Sequence, residues 1–305
     1  MSDAALSVLT NIGMISFVGL SAWVLLTVGC VSFGQQAFFG LGAYTAGIAT
    51  VVWQLPLALA LPLGAAIGAG AAAVLGLATL RLHGLYFSIA TFAFAELCRI
   101  GIELFRYRTT RDGQPVGPDG VEGFGDIRAV FEAGLQPVDQ LMLVWFLLTA
   151  AVAVLIGLER TRHGIRARMV GEDSVAAALH GVDVARVKLA AAALAGALAG
   201  LGGGLYAHLT TYIEPRLFDA MLGVHALAYG LIGGLGTAIG PVLGAVLDIG
   251  LLESTRIFVG TRMIVFGGLV AVLIILRPRG ILDEALVRRS ACLFRRHADA
   301  RPRHG

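Results

Sequence analysis

The chain has 305 residues, of which 57% are hydrophobic and only 14% charged. Soluble domains carry roughly a quarter charged residues, so an ordinary soluble domain is excluded and a polytopic membrane protein is indicated. The net charge of +3 decides little, but the arginines sit in blocks flanking hydrophobic runs, which argues for membrane lipid and against nucleic acid as a partner.

Ala5 to Cys30 is the first candidate span, since about 20 apolar residues suffice to cross the hydrocarbon core. No charged segment precedes it, so it reads as a retained first helix rather than a cleavable signal peptide. The second run, Phe33 to Trp53, begins FGQQAFFGLGAYTAG. Its glycines and the pair Gln35 and Gln36 predict an imperfect helix, broken or re-entrant, because backbone that leaves helical geometry at membrane depth must be covered by protein or line a water-filled path. Leu57 to Leu80 is a third span, followed by Arg81 and His83 in a tight turn. A fourth, Gly84 to Leu104, carries Glu96 and Arg99 three residues apart on one helix face, where they can neutralise each other or contact a solute.

Phe105 to Val138 is a long polar connection in which Asp112-Gly113 and Asp119-Gly120 mark turns. Gln140 to Leu158, the fifth span, leads into a polar island, Glu159 to Lys188. Arg160, Arg162, Arg166 and Arg168 open the island, as expected of a segment on the cytoplasmic side. Gly171 to His180 is predicted to form a short amphipathic helix with Val175, Ala176 and Leu179 on one face and Glu172, Asp173 and His180 elsewhere. Gly181 closes it as a left-handed cap, since glycine accepts positive φ without a Cβ penalty. So short a helix is marginal alone and needs a partner to pack on.

The sixth span, Val187 to His208, spaces Gly196, Gly200 and Gly204 four residues apart, the pattern that lets two helix backbones touch. After a short loop, Thr210 to Asp219, come two short runs, Ala220 to Ala238 and Gly240 to Leu252, divided at Gly240-Pro241 and each short enough to be a half-helix. A last run, Met263 to Leu276, ends at Arg277 to Gly280 before an arginine-rich tail. Four crossings after the island return the tail to the island's side; the side of the N-terminus stays open. The fold class is therefore all-α, a transmembrane bundle of about eight or nine spans. A transmembrane domain over 1–285 is followed by a basic tail over 286–305, expected on the cytoplasmic side.

Cys30, Cys98 and Cys292 lie in or beside hydrophobic runs without metal-ligand spacing and read as inert thiols. Gln35, Gln36, Tyr44, Ser88 and Thr91 are candidates for a solute path, being polar groups on glycine-rich or broken helices that could hydrogen-bond a zwitterion or amide. The alternative is that the hydroxyls satisfy their own helix carbonyls and the glutamines bond across helices.

Several segments, in order, resemble permease subunits of branched-chain amino acid ABC importers of the LivM type. They are FGQQAFFGLGAYTAG, LRLHGLYFSIATFAFAEL (Leu80 to Leu97), the island, LAGALAGLGGGLYA, GLIGGLGTAIGPVLGAV (Gly230 to Val246) and LRPRGIL (Leu276 to Leu282). The resemblance covers about residue 10 to residue 285 and extends to importers of urea, short amides and aromatic acids. It implies a second homologous permease of the LivH type, two cytoplasmic ATP-binding subunits that use ATP and magnesium, and a periplasmic substrate-binding protein. It further implies that the island helix couples this chain to an ATPase through Glu172, Asp173, Ala176, Ala177 and Gly181, with Ala177 making the closest approach. The family's Glu-Ala-Ala-x-x-x-Gly loop aligns with Val175, Ala176, Ala177 and Gly181, so its glutamate is missing here, and Glu172 or Asp173 is left to stand in.

The chain cannot itself bind nucleotide in a phosphate loop, which needs Gly-x-x-x-x-Gly-Lys-Ser/Thr, because its one lysine, Lys188, is followed by Leu189. It is not expected to be an enzyme or to hold a cofactor or metal. The alternative class is a self-sufficient secondary transporter, in which Asp248, Glu253, His208 and His225 would be among the few groups able to carry a coupling ion.

Overall fold

The computed structural model describes residues 3–79, 82–111, 114–132, 134, 136–253, 267–268, 270–272, 275 and 280–281. The predicted turns at Arg81 and Asp112-Gly113, most of the Met263 to Leu276 run, Cys292 and the tail over 286–305 lie outside them. The protein is a helical membrane bundle. Its elements are α1 (Asp3–Thr27), α2 (Gln35–Val51), α3 (Leu57–Thr79), α4 (Leu85–Leu104), a small hairpin of β1 (Thr109–Arg111) and β2 (Gln114–Val116), and α5 (Ala129–Glu132). There follow α6 (Pro137–Glu159), α7 (Arg162–Glu172), α8 (Ser174–Leu179), α9 (Val184–Thr210), α10 (Ala220–Gly233) and α11 (Gly240–Ala245), which continues as a π-helix over Val246–Glu253. Among the described residues, five helices are long and apolar enough to cross a membrane: Ala5–Thr27, Leu57–Thr79, Leu85–Leu104, Pro137–Glu159 and Val184–Thr210.

The bundle is built around α9, which packs on α1, α2 and α3. Its glycine row is a contact row. A methyl carbon built on Gly196 would lie 2.5 Å from the Ala72 Cβ, and one on Gly200 would lie 2.5 Å from the Gly64 carbonyl oxygen. One on Gly204 would meet the Ala46 Cβ at 3.1 Å. The small residues of α3 and α2 answer those of α9, and backbones approach where side chains would hold them apart.

The second run differs from expectation in one respect. α2 is an unbroken 17-residue helix, almost entirely buried, and its glycines serve packing rather than a break. Gly42 lies on the Gly200 backbone and Gly47 on the Phe124 ring. The irregular backbone comes before the helix, over Cys30 to Gly34. Because α2 runs parallel to α9, with Gly42 at Gly200 and Thr50 bonded to His208, Gln35 falls level with residue 193, about 13 Å inside the Val184 end of α9. The non-helical stretch is thus carried into the bundle, where its polar backbone needs partners.

The two ends of α9 define the two faces. At its far end Phe124 exchanges both backbone hydrogen bonds with Ile213, at 2.7 and 2.9 Å, so the long connection lies opposite the island. Phe124 and Ile127 are fully buried and cap the bundle there. At the near end Gly29 touches Gly171 of the island, which places the Thr27 end of α1 on the island face and Asp3 on the opposite one. The side of the N-terminus, open from sequence, follows from that single contact.

The two short runs form a helical hairpin. Gly233 lies against Gly240 and Tyr229 against Gly244, an antiparallel register. Pro241 sits in the first turn of α11, where its missing N–H costs nothing. The hairpin turn lies on the island face, because the Arg168 guanidinium donates to the Gly236 carbonyl at 3.2 Å. Beyond the last apolar run, the Ile281 N–H donates to the Ile232 carbonyl at 2.9 Å and Gly280 lies on Gly234, so these two residues close on the same turn.

Candidate functional site

The island folds as two helices, not the single one expected over Gly171 to His180. Thr161 caps α7 by accepting from the His163 N–H. Gly171 and Glu172 belong to the end of α7, and the chain then extends at Asp173, whose φ is −152°. The Asp173 carboxylate accepts from the Val175 and Ala176 N–H groups at 2.8 and 3.0 Å and so starts α8. An N-cap with two backbone donors makes the break possible: the carboxylate satisfies two of the amides that the first turn of a new helix leaves without a carbonyl. Asp173 is thereby occupied, while Glu172 is exposed and makes no ion pair among the described residues.

At the other end of α8 the Gly181 N–H bonds to Ala178 at 2.9 Å and the Val182 N–H to Ala177 at 3.1 Å, with Gly181 at φ +78°. This is a Schellman cap, and the positive φ is the one anticipated for Gly181. Ala177, expected to make the closest approach to an ATPase, packs against this chain. It is 2% exposed and turned into the chain, whereas Val175 and Leu179 are 69% and 84% exposed. Ala176 is intermediate. The apolar face available to another molecule is therefore the Val175 and Leu179 edge, one helical turn apart.

The island is anchored at three points. Gly171 lies backbone to backbone on Thr27 and Gly29. Arg168 bridges Glu159 of α6 at 3.0 Å and reaches the hairpin turn at Gly236. α7 is therefore tied to α1, α6 and the α10–α11 hairpin together.

The five candidate path residues divide into two sets. The Ser88 hydroxyl donates to the Val31 carbonyl at 2.7 Å, and the Thr91 oxygen accepts from the Phe33 N–H at 3.0 Å. Thr91 also donates to the Ser88 carbonyl at 2.9 Å. The two hydroxyls thus bond Val31 and Phe33 in the non-helical stretch, a role not expected of them, and Thr91 also meets its own helix carbonyl, as the alternative had it. Gln35, Gln36 and Tyr44 are different: all are buried, and both polar atoms of Gln35, the Gln36 Oε1 and the Tyr44 hydroxyl have no hydrogen-bond partner among the described residues. Gln36 lies against Gly223, and Tyr44 sits between Phe124 and Phe218 at ring separations of 6.3 and 6.1 Å. The structure does not bring all five to one cavity.

Glu96 and Arg99 pair as their spacing requires, at 3.0 Å, and Arg99 also pairs with Glu103 one turn further on. A second cluster brings together His225 and Asp248, both named from sequence as possible carriers of a coupling ion, with Tyr229, which was not; their meeting joins two helices. The Tyr229 hydroxyl donates to the Asp248 carboxylate at 2.7 Å, and His225 Nδ1 lies 3.2 Å from the same oxygen. His225 and Tyr229 are four apart on α10, a visible signal, but Asp248 reaches them only through the hairpin register. A cavity of about 260 Å³ is lined by His225 and Tyr229 together with Asn11, Phe39, Tyr206 and Phe218.

Comparison with known proteins agrees with this architecture. Residues 4–277 match the family described as branched-chain amino acid transport system, permease component. The chain is 29% identical to the high-affinity branched-chain amino acid transport system permease protein LivM of Salmonella typhimurium LT2, over 90% of this chain and 67% of that protein. It is also 29% identical to LivM of Escherichia coli K12, over 91% and 69% respectively. No solved structure matches the chain significantly.

Proposed function

The chain belongs to the family of branched-chain amino acid transport permease components, and on that premise we propose that it is the membrane subunit of an ATP-driven importer. In this reading it moves branched-chain amino acids or related small polar solutes across an inner membrane by alternating access. A second permease of the LivH type, two ATP-binding subunits that use ATP and magnesium, and a periplasmic binding protein complete the assembly. The island and the C-terminal tail face the cytoplasm, in keeping with their arginines.

The observation that carries this reading is the seating of α7 and α8. An exposed apolar edge, Val175 and Leu179, is presented by a pair of helices anchored to α1, α6 and the hairpin. Docked on an ATPase, such a pair passes a rigid-body movement into the bundle. A nucleotide shifts the transport cycle only to the extent that it stabilises one state over the other. Glu172, rather than the occupied Asp173, is the acid free to meet the ATPase. Gln35, Gln36 and Tyr44 are the groups proposed to bond solute in the course of the cycle, since buried polar atoms without partners are costly unless something satisfies them. Ser88 and Thr91 hold the stretch before α2 and act on the path only through it.

The test is uptake of radiolabelled leucine, isoleucine and urea by proteoliposomes containing the chain with its partner subunits, with and without ATP on the island side. ATP-dependent uptake of one solute class is expected. The His225, Tyr229 and Asp248 cluster favours a second reading, a proton-coupled secondary transporter, because ionisable groups within a bundle are the usual carriers of a coupling ion. Uptake by the chain alone, driven by a proton gradient and abolished by a protonophore, would establish that reading and overturn the first.

A further inference from the structure

We propose that the groove between α6, α7 and α9 on the island face binds an anionic phospholipid of the surrounding bilayer. α6 and α9 barely touch, and α1 forms the back wall of a cavity of about 460 Å³ between them. Its floor is apolar, with Trp23, Leu155 and Leu194, and its rim carries Arg166, Arg168 and Arg186. Two of the three arginines are already neutralised: Arg168 by Glu159 at 3.0 Å and Arg186 by Asp183 at 2.9 Å. Arg166 is exposed and makes no ion pair among the described residues.

The groove opens where α6 ends at Glu159. A helix of 23 residues spans about 35 Å, a little more than the hydrocarbon core, so this end lies at headgroup level. In the floor, the Trp23 indole N–H is buried and has no acceptor among the described residues. A free phosphate would meet Arg166 but leave the apolar floor to water. A zwitterionic lipid would fill the floor but leave Arg166 without a net anion. An anionic headgroup on acyl chains satisfies both, and its glycerol ester oxygens are acceptors of the kind the indole lacks. Basic pockets between spans at the membrane surface hold acidic headgroups for the same reason. Gly181 and Val182 also line the groove, so an occupant would brace the exit of α8.

The test uses the full chain with Trp53→Phe and Trp145→Phe, leaving Trp23 as the reporter, in mixed micelles with lipids brominated on their tails. Brominated phosphatidylglycerol should quench Trp23 more strongly than brominated phosphatidylcholine, with a preference of about fivefold in apparent affinity, the effect of one arginine near an anionic surface. Arg166→Gln should abolish that preference, and Arg162→Gln, outside the groove, should keep it. Native mass spectrometry of the chain with all its tryptophans, counting retained phosphatidylglycerol with and without Arg166→Gln, gives the same comparison should the reporter variant fold poorly. Equal quenching by the two lipids overturns the proposal, as does a preference that survives Arg166→Gln. Loss of the preference on adding water-soluble glycerol phosphate would mean that the anion alone binds, and would overturn it also.

Discussion

Gly200 of α9 faces the Gly64 carbonyl of α3 so closely that a methyl carbon at Gly200 would lie 2.5 Å from that oxygen. The neighbour is backbone in the middle of a helix and cannot swing aside. Gly200→Leu should therefore force α3 and α9 apart at a cost of at least about 3 kcal/mol, the upper range of overpacking in a close-packed interior. Membrane abundance of the variant, read by immunoblot, should fall sharply. Gly101→Leu, at a glycine with open space around it, should leave abundance unchanged. Normal abundance of Gly200→Leu would show that the row is not a contact.

Leu179 and Ala177 separate docking from folding. Leu179→Arg alters an exposed edge and should leave insertion intact while reducing co-purification of the ATP-binding subunits more than tenfold, the effect of losing an interface anchor worth about 2 kcal/mol. Ala177→Arg instead buries an unpaired charge inside the island, at about 3–5 kcal/mol, and should lower the amount of folded chain. If Leu179→Arg binds the ATP-binding subunits as tightly as the unaltered chain, α8 is not the docking helix.

Gly181 holds φ at +78°, where a β-branched side chain is strongly disfavoured. Gly181→Val should cost on the order of 1–3 kcal/mol and redirect the start of α9, whereas Gly181→Asn, tolerated in the left-handed region, should retain most activity. ATP-dependent uptake per folded molecule distinguishes them. Equal uptake by the two variants would mean that the exit angle of α8 is not transmitted.

Tyr229 and Asp248 tie the hairpin together by a buried hydrogen bond to a carboxylate. Tyr229→Phe removes the donor and nothing else of the ring, so it should lower stability by about 1–3 kcal/mol. A depressed midpoint of thermal unfolding in detergent is the expected reading, and an unchanged midpoint would show that the bond contributes nothing.

The two faces of the bundle can be labelled. With the native cysteines replaced, a membrane-impermeant thiol reagent applied to intact cells should modify Asp119→Cys in the connection and spare Arg166→Cys in the island. The structure places these segments at opposite ends of α9, and the proposed orientation, drawn from the arginine blocks, puts the island on the cytoplasmic side. Modification of Arg166→Cys would reverse the orientation.

Much of this was legible in the residues because the determining physics is local. Length and apolarity set the spans, the four-residue spacing of Gly196, Gly200 and Gly204 marks a face on which backbones can approach, and glycine at 181 announces a left-handed cap. Asp173 splits the island by a cap that is equally local, two and three residues along the chain, and that was there to be read as an aspartate ahead of a helical run. Two things were decided only by the tertiary structure. Ser88 and Thr91 bond the stretch before α2, since only the packing of α4 beside it brings Phe33 N–H and Val31 carbonyl within reach across more than 50 residues of chain. Asp248 meets His225 and Tyr229 because the hairpin turn sets the register of α11 on α10. A side chain's partner on another helix depends on that register, which no periodicity within one helix encodes.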